Sequence, residues 1–118
     1  MNENPRIMPV TFDWDNPPYE GATVQGPSST QVRVRIMDTG GNQSYHAKIS
    51  DIGGDYMWTN LDREGSTAYW SADVDTAGDL PPSPPSTDNK QVTVEGFSDP
   101  NLTYKTEGPI TIKFKGYY

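Results

Sequence analysis

The stretch Val32-Arg33-Val34-Arg35-Ile36 alternates apolar and charged side chains with a period of two. Successive side chains of a β-strand point to opposite faces, so this pattern predicts a strand with one face in the core and the other in water. The same alternation recurs in Val10–Trp14, Tyr45–Ile49, Ala68–Val74, Val92–Val94 and Ile110–Phe114. A further strand is predicted across Tyr56–Leu61, although large apolar groups there occupy both parities and leave its buried face undefined.

Turn-forming residues separate these stretches. The chain has 118 residues, including 11 glycines and 11 prolines, and no segment of ten residues has the pattern of an amphipathic helix. Glycines in Asp51–Asp55 and Arg63–Ser66 predict tight turns, and Gly108-Pro109 is expected to frame the last connection. About seven short strands separated by turns predict an all-β antiparallel sandwich. We expect one domain over residues 7–118, preceded by a flexible arm over residues 1–6.

A proline-rich segment interrupts the pattern at residues 79–89. Its centre, Pro81-Pro82-Ser83-Pro84-Pro85, lacks a backbone amide donor at four of five positions, so it cannot form a central strand. We expect a semi-extended loop at one end of the sandwich. The loop is either a rigid connection or a docking segment for an aromatic groove, with Pro81, Pro82, Pro84 and Pro85 as its contacts.

The core must hold without covalent links, because the chain has no cysteine. Trp70 is the largest side chain at an inward parity, and we expect it to fill the centre of the core. The inward positions predicted from the alternation are Val10, Phe12, Val32, Val34, Ile36, Ala47, Ile49, Trp70, Ala72, Val92, Val94, Ile110 and Ile112.

Composition excludes several classes of protein. The formal net charge of −7 opposes nucleic-acid binding, which needs a basic surface to neutralise phosphates. No apolar run approaches the length of about 18 residues that a membrane span requires. Without cysteine there is neither a disulfide framework nor a thiolate metal site. Met1–Arg6 contains no apolar segment of the kind found in secretory signals, so none is expected.

Acidic residues offer one candidate metal site. Asp73-Val74-Asp75 has the spacing that begins an EF-hand loop, but the fifth and twelfth positions are Ala77 and Pro84, which excludes that motif. No cofactor is therefore expected, apart from a looser Ca²⁺ site. The alternative is a solvated acidic rim. The residues available to such a site are Asp73, Asp75 and Asp79, together with Asp13 and Asp15.

Catalysis is not expected. Asp62 and Glu64 lie two residues apart, but nothing else in the sequence organises the cleft that glycoside hydrolysis needs. The nucleophile signature Gly-x-Ser-x-Gly is absent. The single histidine, His46, is predicted to face solvent as an ordinary strand residue, with a pH switch at an interface as the alternative. The glycosylation patterns at Asn42 and Asn101 are interpreted as turn residues that match by chance.

Aromatic residues exceed what one small core can hide, with three Trp and seven Tyr. Displayed on a sandwich face, they stack on sugar rings or anchor a protein interface. The alternative is that Trp58 packs in the core and the tyrosines, including Tyr19 and Tyr104, cover sheet edges. The candidate contact surface consists of Tyr56, Trp58, Tyr69, Tyr117 and Tyr118.

Longer motifs carry a family resemblance. The turn at Asn16–Val24, the segment Trp70-Ser71-Ala72, the turn Leu80-Pro81 and the strand Val92-Thr93-Val94 resemble bacterial immunoglobulin-like modules. The resemblance extends over residues 9–114 and implies an immunoglobulin-like sandwich. Two features depart from the pattern, namely the proline-rich insertion and a different late turn at Ser98–Asn101. These motifs mark a fold and its turns, not an active site.

A single immunoglobulin-like unit is similar to the virion accessory proteins of tailed bacteriophages. The resemblance implies a non-catalytic capsid decoration protein on the virion, bound to the major capsid protein through end loops, the N-terminal arm or the aromatic C-terminus. The alternative is a carbohydrate-binding or spacer module of a bacterial surface protein or polysaccharide-active enzyme, at the cell surface or secreted. A calcium-dependent adhesion unit is the third hypothesis.

Overall fold

The computed structural model describes residues 10–12, 22–25, 31–38, 40–76 and 80–118. This part of the chain forms nine β-strands and no helix, so the predicted all-β class is confirmed, and it contains no helix of the length and apolarity that a bilayer span requires. The strands are β1 Val10–Phe12, β2 Ala22–Gln25, β3 Gln31–Met37, β4 Ser44–Asp51, β5 Thr59–Asn60, β6 Asp62–Arg63, β7 Tyr69–Asp75, β8 Lys90–Phe97 and β9 Lys105–Tyr117.

The strands are arranged in two sheets. One has four strands in the order β1-β3-β7-β6, all antiparallel. The other has five strands in the order β2-β9-β8-β4-β5, antiparallel except that β2 runs parallel to β9. Side chains from both sheets join one apolar cluster, as in a β-sandwich.

The two-residue alternation in the sequence predicts which side chains join this cluster. In β3, Val32, Val34 and Ile36 are at most 5% exposed, while Arg33 and Arg35 alternate with them and are partly exposed. Ala72 and Ile112 are only partly buried against the cluster. Val10 and Phe12 are on β1, whose side chains are outside the described part. The predicted inward residues found buried are Val32, Val34, Ile36, Ala47, Ile49, Val92, Val94 and Ile110.

The prediction for Trp70 is wrong in one respect. Trp70 has the inward parity, but it is only partly buried and packs against the cluster from its rim. It is the second residue of β7 and pairs with the two-residue edge strand β6, and its ring packs against that of Tyr45 with centroids 5.5 Å apart. The largest fully buried side chains are instead Tyr45 on β4 and Phe114 on β9.

Strand boundaries also differ from the predictions. Of the predicted strand Tyr56–Leu61, Thr59–Asn60 pair with β4 and the Leu61 amide donates to the Tyr45 carbonyl at 2.9 Å, whereas residues 52–58 form a loop. Gly108-Pro109 frames no connection, because it lies inside β9, where its peptide bond is cis. The turn predictions are confirmed at Gly53 (φ 83°) and Gly65 (φ 60°), which adopt the left-handed conformation that favours glycine.

The proline-rich segment is irregular over residues 80–89, as predicted, and it is tied to the end of β9. Leu80 is buried at 3% exposure and approaches Gly116. The Asn89 side chain donates to the Gly116 carbonyl at 3.1 Å and accepts from the Gly116 amide at 2.8 Å. The amide of Tyr118 donates to the Pro81 carbonyl at 2.9 Å. The loop is therefore positioned by the last strand. Residue 79 and the predicted arm over residues 1–6 lie outside the described part.

Candidate functional site

The five candidate aromatic residues do not form one surface. Tyr56 and Trp58 belong to the β4–β5 connection beside the five-stranded sheet, and Tyr69 begins β7 in the four-stranded sheet. Tyr117 and Tyr118 lie at the end of β9, next to β2. Tyr19 lies outside the described residues. The structure thus distributes the predicted surface over three places, each with different neighbours.

Trp58 lies on a rigid support. Its ring stacks on the ring of His46 with a centroid separation of 4.0 Å and an interplanar angle of 19°. The edge of His46 meets Phe97 in a T-shaped contact, with centroids 5.0 Å apart. Phe97 is 5% exposed yet lies outside the main core cluster, so these three rings form a second, smaller aromatic cluster. Trp58 therefore covers His46. The alternation in the sequence had predicted that His46 faces solvent.

Charged groups fix the base of this cluster. His46 Nε2 donates to Glu95 Oε1 at 2.8 Å, and Lys105 Nζ donates to Glu95 Oε2 at 3.1 Å. Burial raises the pKa of Glu95, but the hydrogen bonds from His46 and Lys105 outweigh it and hold the pKa below its ordinary value. The side chains of His46 and Glu95 are each 15% exposed. We call His46, Trp58, Glu95 and Phe97 the Trp58 platform.

The upper surface of the platform is exposed. Trp58 is 36% exposed, and Lys48 Nζ lies 5.0 Å from its ring centroid. Its neighbour in the chain, Met57, is 79% exposed. Exposed apolar side chains at adjacent positions mark a candidate interaction surface. Ile52, 41% exposed, lies at the other end of the same loop.

Tyr69 has a structural role on the other sheet. The Arg35 guanidinium lies 3.7 Å from the Tyr69 ring centroid and forms two 3.0 Å hydrogen bonds with the Glu64 carboxylate. These bonds hold the pKa of Glu64 below its ordinary value. Glu64, one of the two carboxylates considered for glycoside hydrolysis, is thus engaged by an arginine, and Asp62 is an exposed residue of the edge strand β6.

Tyr117, Tyr118 and the prolines lie together at the end of β9. The Tyr118 side chain is 46% exposed, and the hydroxyl of Tyr117 approaches Gln25 Oε1 at 3.5 Å. Pro82 and Pro84 are exposed, whereas Pro81 and Pro85 are half-buried. The proline-rich loop and the aromatic C-terminus, which the sequence suggested as separate docking elements, therefore adjoin each other.

The calcium candidates in the described part of the chain are Asp73 and Asp75, which lie two positions apart on the same face of β7. Asp73 pairs with Arg33 at 3.3 Å, and Asp75 lies opposite Gln31 in the sheet. No group of three or more His, Asp or Glu side chains suited to a metal ion occurs among the described residues. Asp13, Asp15 and Asp79 lie outside them.

Nothing in the sequence indicated the partly buried polar network around the hydroxyl of Tyr45. The Tyr45 hydroxyl donates to Asp38 Oδ1 at 2.7 Å and accepts from Asn42 Nδ2 at 3.0 Å, and Asn42 Nδ2 also reaches Glu107 Oε1 at 3.1 Å. Thr106 donates to Asn42 Oδ1. Burial raises the pKa of Tyr45 above its ordinary value. Asn42 is thus a structural residue, whereas Asn101 is exposed in the β8–β9 loop.

Comparison with known proteins returned no match to any family model, curated protein or solved structure.

The hydrogen bonds that Glu95 accepts under Trp58 predict a pH dependence of stability. Because the pKa of Glu95 is lower in the folded than in the unfolded chain, its contribution is complete above the unfolded pKa and is lost as the pH falls through the folded value. The urea midpoint of Glu95→Gln should therefore fall below that of the wild type at pH 7 and approach it at about pH 3. Asp62→Asn serves as the control on the other sheet. An equal midpoint difference at both pH values would contradict the assignment.

Proposed function

We propose that this chain is a non-catalytic binding domain with an immunoglobulin-like topology. The strand order supports this proposal. In immunoglobulin domains one sheet has the order A-B-E-D and the other contains G-F-C, extended by C′ in the variable type. Here β1-β3-β7-β6 corresponds to the first order and β9-β8-β4-β5 to the second. In this correspondence β1 and β2 are two halves of strand A, one in each sheet.

The Trp58 platform is the proposed contact surface. Binding costs entropy when exposed side chains must be ordered, and a side chain that is already fixed avoids much of that cost. The stacking of Trp58 on His46, and the bonds from His46 and Lys105 to Glu95, fix this indole before any partner arrives. Partly exposed, rigid tryptophan is also the residue type most enriched among the hot spots of protein interfaces. This single observation carries the proposal.

We propose that the partner is a protein, and specifically the major capsid protein of a tailed bacteriophage. The support for the viral context is the resemblance to immunoglobulin-like virion proteins, and the support for a protein partner is the apolar pair Met57-Trp58. Met57 adds flexible apolar area next to Trp58 in the chain, which suits the side chains of another protein. The net charge of −7 would keep decorated particles apart.

A carbohydrate-binding or spacer module is the second candidate function. Trp58 presents an indole plane partly open to solvent, with the Lys48 ammonium 5.0 Å from its ring centroid. Asn60, also exposed, lies opposite His46 and so belongs to the same side of the sheet. A flat aromatic ring with adjacent polar groups is suited to stacking with a sugar.

Replacement of Trp58 tests the contact surface. With particles assembled from a capsid protein encoded beside this chain, Trp58→Ala should weaken co-sedimentation by about 30-fold, equivalent to a hot spot of about 2 kcal/mol. Tyr69→Ala is the matched control, because Tyr69 is also partly exposed and also contacts a cation, but on the other sheet. A melting temperature within a few degrees of the wild type shows that the variant is folded.

Three outcomes separate the candidates. Loss of particle binding in Trp58→Ala but not in Tyr69→Ala supports the proposal. Particle binding that survives Trp58→Ala contradicts the role of the platform, and loss in Tyr118→Ala alone would move the contact to the end of β9. Absence of particle binding, combined with glycan-array binding that depends on Trp58, would replace the first function with the second.

A further inference from the structure

We propose that the outer face of the five-stranded sheet receives an acidic segment of the protein partner, and that Trp58 anchors this segment at the β5 edge. The inference rests on the proposed function, because it takes the partner to be a protein. We call this surface the lysine face. Its cations are Lys48 on β4 and Lys105, Lys113 and Lys115 on β9.

Among the described residues, the lysine face carries more cations than carboxylates. Ala47, Ile49, Val92 and Val94 are fully buried, so the alternate positions of β4 and β8 point outward. In β9 the burial of Ile110 and Phe114 places Lys113 and Lys115 on this same side. Glu95 is the one carboxylate at the outward positions of β4 and β8 and at those of β9 after Ile110. The chain as a whole has a net charge of −7. The Glu95 carboxylate already pairs with His46 and Lys105.

Lys48 and Lys115 differ from two arginines of the other sheet. On the four-stranded sheet Arg33 pairs with Asp73 at 3.3 Å, and Arg35 pairs with Glu64 at 3.0 Å. On the lysine face Lys48 contacts the Trp58 ring, and within the described residues neither Lys48 nor Lys115 has a carboxylate within 4.0 Å. Positive charge that the fold does not neutralise is available to a partner of opposite sign.

Small side chains lie between the lysines. In the register, Lys48 lies opposite Thr93, which lies opposite Thr111, and the two threonine hydroxyls hydrogen-bond at 3.2 Å. β8 separates Lys48 from β9 by about 10 Å across the sheet, and Lys113, opposite Gln91, lies two positions further along the strand. Thr93 is only 7% exposed, so an extended segment would contact the lysine ammonium groups and not this threonine.

The anchor favours a polypeptide over an anionic polysaccharide. Trp58 and its neighbour in the chain, Met57, are both exposed, so an apolar contact is available at the β5 edge of the face. An acidic peptide can place carboxylates on the lysines and an apolar side chain on this edge at the same time. A polyuronate has carboxylates but no apolar side chains, and it would leave Met57 in water.

Single charge reversals test the lysine face. Lys48→Glu and Lys115→Glu are compared with Arg63→Glu, an equal charge change at an exposed residue of the other sheet. Binding is measured to the capsid particles described above, and to poly-L-glutamate and polygalacturonate as probes, at 50 and 300 mM salt. Each lysine reversal should weaken particle binding at 50 mM salt by about tenfold relative to Arg63→Glu, and the difference should shrink at 300 mM because salt screens exposed charges. Thermal melting confirms that each variant is folded.

The outcomes distinguish this inference from the function on which it rests. If Trp58→Ala abolishes particle binding but the lysine reversals behave like Arg63→Glu, the acidic-segment inference is overturned and the contact surface stands. If Trp58→Ala leaves particle binding unchanged, the proposed function itself fails. Polygalacturonate binding that is tighter than poly-L-glutamate binding and depends on Lys48 would overturn the choice of a polypeptide in favour of an anionic glycan.

Discussion

Replacing Phe114 with alanine is expected to destabilise the protein by about 3–5 kcal/mol, the range for a large aromatic side chain removed from a core. Phe114 is fully buried, and β9, which carries it, pairs with both β2 and β8. The cavity would therefore open where three strands of the five-stranded sheet meet. The free energy of unfolding from urea titration measures the effect.

Trp70→Ala provides the comparison for Phe114→Ala. If Trp70 filled the centre of the core, its removal would have the larger effect, whereas its partly buried position on the rim predicts a smaller loss than that of Phe114. Tyr104→Ala, at a side chain that is 67% exposed, should change the unfolding free energy by less than about 0.5 kcal/mol. A larger loss in Trp70→Ala than in Phe114→Ala would contradict the packing described here.

A second large effect is expected at Tyr45 and Gly96, which face each other across the β4–β8 pair. A Cβ on Gly96 would lie 2.6 Å from Cε2 of Tyr45, closer than atoms can pack. The Tyr45 ring is fully buried and its hydroxyl is bonded to Asp38 and Asn42, so it cannot turn aside. Gly96→Ala should therefore destabilise the protein by about 1–3 kcal/mol, and Tyr45→Ala by about 3–5 kcal/mol.

The double variant shows whether the steric explanation holds. When the ring is removed, the added methyl group meets no ring atom, so Gly96→Ala should have little further effect in the Tyr45→Ala background. The interaction energy between the two sites should then approach the full effect of the single Gly96→Ala change. Additive free energies of unfolding would indicate that Gly96 is required for its backbone conformation and not for the space beside Tyr45.

The predictions from sequence were most accurate where a signal is local. The alternation in Val32–Ile36 correctly gave both the strand and its buried face, because a side-chain period of two is a property of the strand itself. The glycine turns at Gly53 and Gly65 were found for a similar reason, since their positive φ angles suit glycine. Residues 56–58 carried large apolar side chains without a clear period, and there the predicted strand did not form.

The candidate site was found only in part. Trp58 was named because the chain has more aromatic residues than its core needs, but nothing in the sequence connected it with His46, Glu95, Phe97 or Lys105. His46 and Glu95 are 49 positions apart and meet because β4 and β8 pair in a register that places them opposite each other. That register depends on the packing of whole strands.

Charge gives the clearest contrast between what the sequence determines and what the tertiary structure decides. The sequence by itself determined that the chain is acidic, that it folds from strands with one apolar face, and that arginines and lysines alternate with the core residues. Only the tertiary structure decided that Arg33 and Arg35 are neutralised within their own sheet, while Lys48 and Lys115 face outward without a carboxylate partner among the described residues. The reason is that side-chain orientation follows from local geometry, whereas neutralisation requires a partner brought close by strand pairing between distant segments.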